Sequence, residues 1–242
     1  MSGHSHFKTI KAQKEVADAK RGKVFSKMGK VVSIAAKNGG DPATNPRLRI
    51  AIEQARNVNM PKENIERAIL RGTGELAGDK LEEVVFEGFG PGGIAVIIEA
   101  ITDNKNRTLG EIKQILSQNN GKLAGEGAVQ WMFERKGIIV VNTKDQSKDI
   151  KNEELELLAI EGGADDISWQ GDILGIYTKP DSVETIKKNL ETSGIKIDST
   201  TAGLIPKDTV AVDDKAKQNC QKLFDALEEN DAVQETYSNL RD

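Results

Sequence analysis

The sequence predicts an α+β protein: a basic N-terminal helical bundle followed by two α/β domains, the third domain of the chain inserted into the second. Three observations predict this. Apolar residues recur at helical spacing from Asp18 to about residue 72 and then give way to short β-branched runs between glycine-rich turns. Residues 138–198 alternate strand, helix, strand, strand, helix, strand. A helix and a strand remain after that unit, while the middle of the chain is short of elements. A chain of 242 residues has room for one to three domains.

From Asp18 to Ala36, Val24, Met28, Val31, Val32 and Ala35 form one apolar stripe of a helix. At 100° per residue, Lys20, Lys23, Lys27 and Lys30 fall within an arc of about 80° beside it. Gly22 and Gly29 each weaken that helix by up to about 1 kcal/mol. Asn38-Gly-Gly-Asp-Pro42 closes the segment, and Asn45-Pro46 reads as an N-cap with proline at the first helical position. Leu48, Ile52 and Ala55 give the second helix its buried side. Pro61 opens a third, with Ile65, Ala68 and Ile69 inside, a Glu63–Arg67 pair outside and Gly72 as its stop. Residues 1–17 carry Lys8, Lys11 and Lys14 with little periodic apolar content and are expected to form an arm.

Val84 to Glu87 and Ile94 to Ile101 read as a hairpin turning at Gly90-Pro-Gly-Gly93. Asn106-Arg-Thr108 leads into a helix built on Leu109, Ile112, Ile115 and Leu116. Then come a strand at Ile138–Val141, a helix at Glu153–Ile160, strands at Asp166–Trp169 and Ile173–Thr178, a helix at Ser182–Leu190 and a strand opening at Ile195. That order is the split βαβ, ferredoxin-like arrangement. Lys215–Leu227 and Val233–Tyr237 are the surplus helix and strand, expected to complete the earlier domain. The expected boundaries are 1–76 for the helical domain, 77–133 plus 208–242 for the discontinuous one and 134–207 for the insertion.

Charge is segregated along the chain. Residues 1–71 hold 15 Lys+Arg against 6 Asp+Glu, a net of +9, and the remainder holds 19 against 32, a net of −13. A basic lobe on an acidic body is the pattern of a protein that meets a polyanion with one end. Residues 1–37 contain eight lysines and one arginine, Arg21. Lysine binds phosphate as a point charge, whereas bidentate reading of guanine wants arginine, so backbone contact is expected there rather than base readout. Only Phe7 and Phe25 are aromatic in the basic lobe, too few for a base-stacking platform. The expected contact set is Lys8, Lys11, Lys14, Lys20, Arg21, Lys23, Lys27 and Lys30 with Arg47, Arg49 and Arg71; Arg47, Arg49, Arg56 and Arg71 are the arginines able to add shape or base recognition, with ordinary helix-surface solvation as the alternative for Arg47 and Arg71.

The remaining chemistry is sparse. His4 and His6 lack the further ligands zinc needs, since no third histidine exists. Cys220, the single cysteine, excludes an internal disulfide and sits with Leu223, Phe224 and Leu227 at helical spacing, so it reads as core. Gly88-Phe-Gly-Pro-Gly-Gly93 lacks the Gly-Lys-Ser/Thr ending of a phosphate loop and reads as a turn. Asp103, Asp165 and Asp166 show no paired-carboxylate spacing. No catalytic residue, cofactor, metal or small-molecule substrate is therefore expected. The longest apolar run is Ile94–Ile98, far short of a membrane span. The N-terminus does not read as a signal peptide, and a cytoplasmic protein, monomeric, is expected.

The segments Asp18-Ala-Lys-Arg-Gly-Lys23, Gly39-Gly-Asp-Pro-Ala-Thr-Asn-Pro-Arg-Leu-Arg49, Asn59-Met-Pro-Lys-Glu-Asn-Ile-Glu-Arg-Ala68, Arg71-Gly-Thr-Gly-Glu75, Glu87-Gly-Phe-Gly-Pro-Gly-Gly93, Thr102-Asp-Asn-Lys-Asn-Arg-Thr108 and Trp131-Met-Phe-Glu-Arg-Lys-Gly137 resemble the YebC/PmpR family. The similarity runs from Gly3-His-Ser to Tyr237-Ser-Asn, with Phe7 standing where many members have tryptophan. The resemblance implies three domains, the third inserted in the second, and DNA-binding transcriptional regulation. It also implies an alternative, since mitochondrial relatives are translational activators of a cytochrome oxidase subunit and bacterial ones are described as ribosome-associated factors that relieve stalling on proline-rich sequences. DNA and ribosomal RNA both stay open as the nucleic-acid partner.

Overall fold

The structure, a computed structural model, describes residues 18–146 and 150–241. Among them are seven α-helices and two four-stranded antiparallel sheets. The expectations for His4, His6, Phe7, Lys8, Lys11 and Lys14 concern residues outside that range.

Helices α1 (Asp18–Ala36), α2 (Pro46–Asn57) and α3 (Lys62–Thr73) form the bundle. Val32, Ala35 and Ala36 of α1 pack with Leu48, Ala51, Ile52 and Ala55 of α2 and Ile65 and Ala68 of α3. Asn45 caps α2: its side-chain oxygen accepts from Leu48 N–H at 3.1 Å. It also donates to the carbonyls of Ala35 and Gly39, both at 2.8 Å, and is buried. One side chain thus starts α2 and ends α1. Asn45→Ala removes a cap worth about 1 kcal/mol and leaves two carbonyls without a donor, so a loss of about 2 kcal/mol is expected in urea unfolding.

The third helix departs from expectation at two points. Gly72 is not the stop of α3 but lies inside it; the left-handed cap is Gly74, with φ 84°. Arg67 bonds the Glu63 carbonyl and the Asn64 side chain, and the i,i+4 ion pair of this helix is Lys62–Glu66 at 3.5 Å.

Strands β1 (Glu82–Phe89) and β2 (Ala95–Thr102) pair in continuous register from Glu82 opposite Thr102 to Phe89 opposite Ala95. The turn between them is a 3-10 turn at Pro91–Gly93, where Gly92 takes φ 72°. A Cβ on Gly92 would fall 2.7 Å from Val212 Cγ1, so the glycine serves a close approach as well as a left-handed backbone. Helix α4 (Lys105–Gln118), capped by Asn104, leads to β3 (Lys122–Leu123), which pairs with β1.

Next come β4 (Phe133–Asn142), α5 (Asn152–Glu161), β5 (Asp166–Gln170), β6 (Ile173–Thr178), α6 (Val183–Thr192) and β7 (Ser199–Pro206). Their sheet order, β5-β6-β4-β7, is the split βαβ arrangement. β4 begins at Phe133, before the apolar run, because its polar residues Glu134, Arg135 and Lys136 are held by backbone pairing to β7. Helix α7 (Asp214–Glu228) and β8 (Val233–Ser238) then follow, and β8 pairs with β2, giving the first sheet the order β3-β1-β2-β8. The third domain is therefore inserted in the second. The first sheet differs in connection, being entered through the β1–β2 hairpin.

Residues 132–209 form one compact unit and the other described residues a second. In the first sheet Phe86, Val96 and Ile98 pack on Ile112 and Leu116 of α4 and on Cys220, Leu223 and Leu227 of α7. In the other, Ile139, Val141, Leu174 and Ile176 pack on Leu155 and Ala159 of α5 and Ile186 and Leu190 of α6. Each fully buried Leu or Ile contributes about 1.5–3 kcal/mol.

Candidate nucleic-acid interface

Helix α1 places the lysines of the basic stripe where periodicity puts them, but their surroundings are not open solvent. Lys23, Lys27 and Lys30 are half-buried. Lys23 Nζ lies 2.8 Å from Glu229 Oε2 and 4.0 Å from Asp231 Oδ1, and also donates to the Glu229 carbonyl. Lys27 Nζ donates to the Glu228 carbonyl at 2.8 Å, and Lys30 Nζ to the Asp231 carbonyl at 2.8 Å. The acceptors are the C-terminal end of α7 and the residues just after it. A helix leaves its last carbonyls without an intrahelical donor and carries partial negative charge at that end, so an ammonium row satisfies both. Burial pushes the Lys27 pKa below its ordinary range and Lys23 adds to this, while Glu228, Glu235 and Asp231 oppose the shift.

Elsewhere on the bundle, Lys37 donates to the Leu81 carbonyl and Arg47 pairs with Glu83. Arg21, Arg49, Arg56 and Arg71 are exposed, the last three on α2 and α3. Lys20 lies in α1 at the expected position on the helix. The structure thus brings together Lys23, Lys27 and Lys30, and sets Arg49, Arg56 and Arg71 on other helices. Sequence reasoning missed the acidic partners. The run Glu228-Glu-Asn-Asp231 was the available signal, complementary in charge to the lysine row but some 200 residues from it.

The other chemistry-bearing residues have local partners. Cys220 is buried, and burial pushes its thiol pKa up. Asp103 pairs with Arg107, Asp165 faces Lys136 at 3.5 Å, and Asp166 accepts from Ile167 N–H at 2.9 Å. Among the described residues no group of three or more His, Cys, Asp or Glu is arranged to hold a metal, and no helix is long and apolar enough to cross a membrane.

The fold and the polar surfaces on it define a mixed helix-and-sheet protein whose basic helical bundle precedes two antiparallel-sheet domains. Residues 5–75 match the model of the TACO1/YebC protein N-terminal domain, and residues 81–240 match that of the TACO1/YebC second and third domain. The chain belongs to the TACO1/YebC family. A probable transcriptional regulatory protein of Halothermothrix orenii is 48% identical, with 99% of this chain and 95% of that protein covered. One of Geobacter sulfurreducens is 47% identical, with 99% and 96% covered. A crystal structure of a conserved hypothetical protein from Aquifex aeolicus, 44% identical, matches with a TM-score of 0.83 over 93% of this chain and 91% of that one.

Proposed function

We propose that the protein is a non-enzymatic, nucleic-acid-binding regulator of gene expression, a DNA-binding transcriptional regulator of the YebC/PmpR type. The carrying observation is the segregation of charge: +9 within residues 1–71, against −13 in the rest. The names of the relatives, probable transcriptional regulatory proteins, support the same reading. Contact is made through phosphates by Lys8, Lys11, Lys14, Lys20, Lys23, Lys27 and Lys30, together with Arg21, Arg47, Arg49 and Arg71. The parts are 1–76 as the binding domain, 77–133 plus 208–242 as a discontinuous α/β domain and 134–207 as the insertion, in a cytoplasmic monomer.

Changing Lys20, Lys23, Lys27 and Lys30 to glutamine is expected to flatten the dependence of log K on log[salt] for duplex DNA by about 3–4 units. An unchanged slope in a folded variant overturns the contact set. Co-sedimentation with ribosomes in the same buffer, without duplex binding, would move the partner to ribosomal RNA and the function to translation.

A further inference from the structure

The lysine row that the proposed function assigns to phosphate is already engaged within the chain. Lys23, Lys27 and Lys30 donate to the carbonyls of Glu229, Glu228 and Asp231 in turn, and Lys23 also meets the Glu229 carboxylate. An ammonium on a carbonyl or carboxylate oxygen makes the same kind of bond that it makes to a phosphate oxygen. The two uses of the row exclude each other.

We propose that the acidic end of α7 is an intramolecular competitor of nucleic acid: α1 binds a phosphate backbone only after leaving it. This rests on the reading that α1 lysines contact phosphate. Three observations make the separation physically available. The bundle has its own apolar core, distinct from that of the sheet domain. Lys23, Lys27, Lys30, Lys37 and Arg47 tie it down through polar contacts. Residues 74–80, which join α3 to β1, are exposed and begin at Gly74 in the left-handed region. The carboxylates of Glu229 and Asp231 are 71% and 74% exposed, so each pair is weak singly, and a polyanion offering several phosphates can displace them. The fraction of molecules with α1 free then scales the apparent affinity.

The test compares the full-length chain with the double variant Glu229→Gln/Asp231→Asn on a mixed-sequence DNA duplex. A second double variant, Glu184→Gln/Glu191→Gln on α6, has the same net charge and leaves α7 untouched. The α7 variant is expected to bind about three- to tenfold more tightly, and the α6 variant to change less than about twofold. In the free protein half-buried Lys30, bonded to the Asp231 carbonyl, should react with an amine-acylating reagent more slowly than exposed Lys62, and the α7 variant should narrow that gap. Equal tightening by both variants, or none, overturns the competitor. If Lys23→Gln/Lys27→Gln/Lys30→Gln then still weakens binding, the phosphate reading survives without it. If that triple variant binds as well as the parent, the phosphate reading fails too.

Discussion

Gly72→Ala is expected to destabilise the helical bundle by about 3 kcal/mol, although glycine-to-alanine inside a helix ordinarily gains up to about 1 kcal/mol. The decisive quantity is space. A Cβ at Gly72 would sit 2.2 Å from the Ser33 carbonyl oxygen and 2.7 Å from Ala36 Cβ. The first of these belongs to the α1 backbone and cannot rotate away, so α1 and α3 would have to separate. One turn earlier, Ser33 Oγ donates to the Ala68 carbonyl at 2.8 Å, and that buried bond would be lost as the helices part. Gly22→Ala is the matched control: nothing lies within 4 Å of its Cβ position, and it should stabilise α1. Urea unfolding followed by far-UV circular dichroism compares the two. Equal, stabilising effects of both substitutions would remove the close crossing from the account.

Removing the Glu87 carboxylate is the second large effect. Glu87 is buried in β1, and its oxygens accept from Gly127 N–H at 2.6 Å, Val129 N–H at 2.7 Å and Gln130 N–H at 2.9 Å. Glu87→Ala strands three backbone donors, with an expected cost of about 3 kcal/mol; Glu87→Gln keeps one acceptor oxygen and should cost about 2 kcal/mol. Burial pushes the carboxyl pKa up, but the three backbone N–H bonds outweigh it and hold the value below the ordinary 4.5. A depressed native value means that this stabilisation is complete above 4.5 and is lost as pH falls through the lower native value. The acid limb of the stability profile should therefore be shallower in Glu87→Gln than in the parent. Parallel limbs would contradict the bonded carboxylate.

How far such features were visible beforehand depends on the distance over which they act. The Asn45-Pro46 cap, the stripe of α1 and the Gly90–Gly93 turn are set by neighbours within about one helical turn, and a reader of the chain finds them. The strand-helix alternation of residues 133–206 survives for the same reason. Gly72 was legible as a glycine near a helix end but not as a crossing point, because Ser33 and Ala36 lie on another helix. Glu87 belongs to a motif of the resemblance, but its local pattern gave no sign of burial, since a lone glutamate in a strand looks like a solvent-facing residue until residues 127–130 fold over it.

The amino-acid order by itself determined the secondary elements, the split βαβ order and the row of lysines on one side of α1, all consequences of backbone geometry repeating along a local stretch. Only the tertiary structure decided what that row faces. The surplus helix and strand already pointed to the return of α7 and β8 to the first sheet, but that this return sets the carbonyls and carboxylates of residues 228–231 against lysines some 200 residues away depends on packing that no short-range pattern encodes.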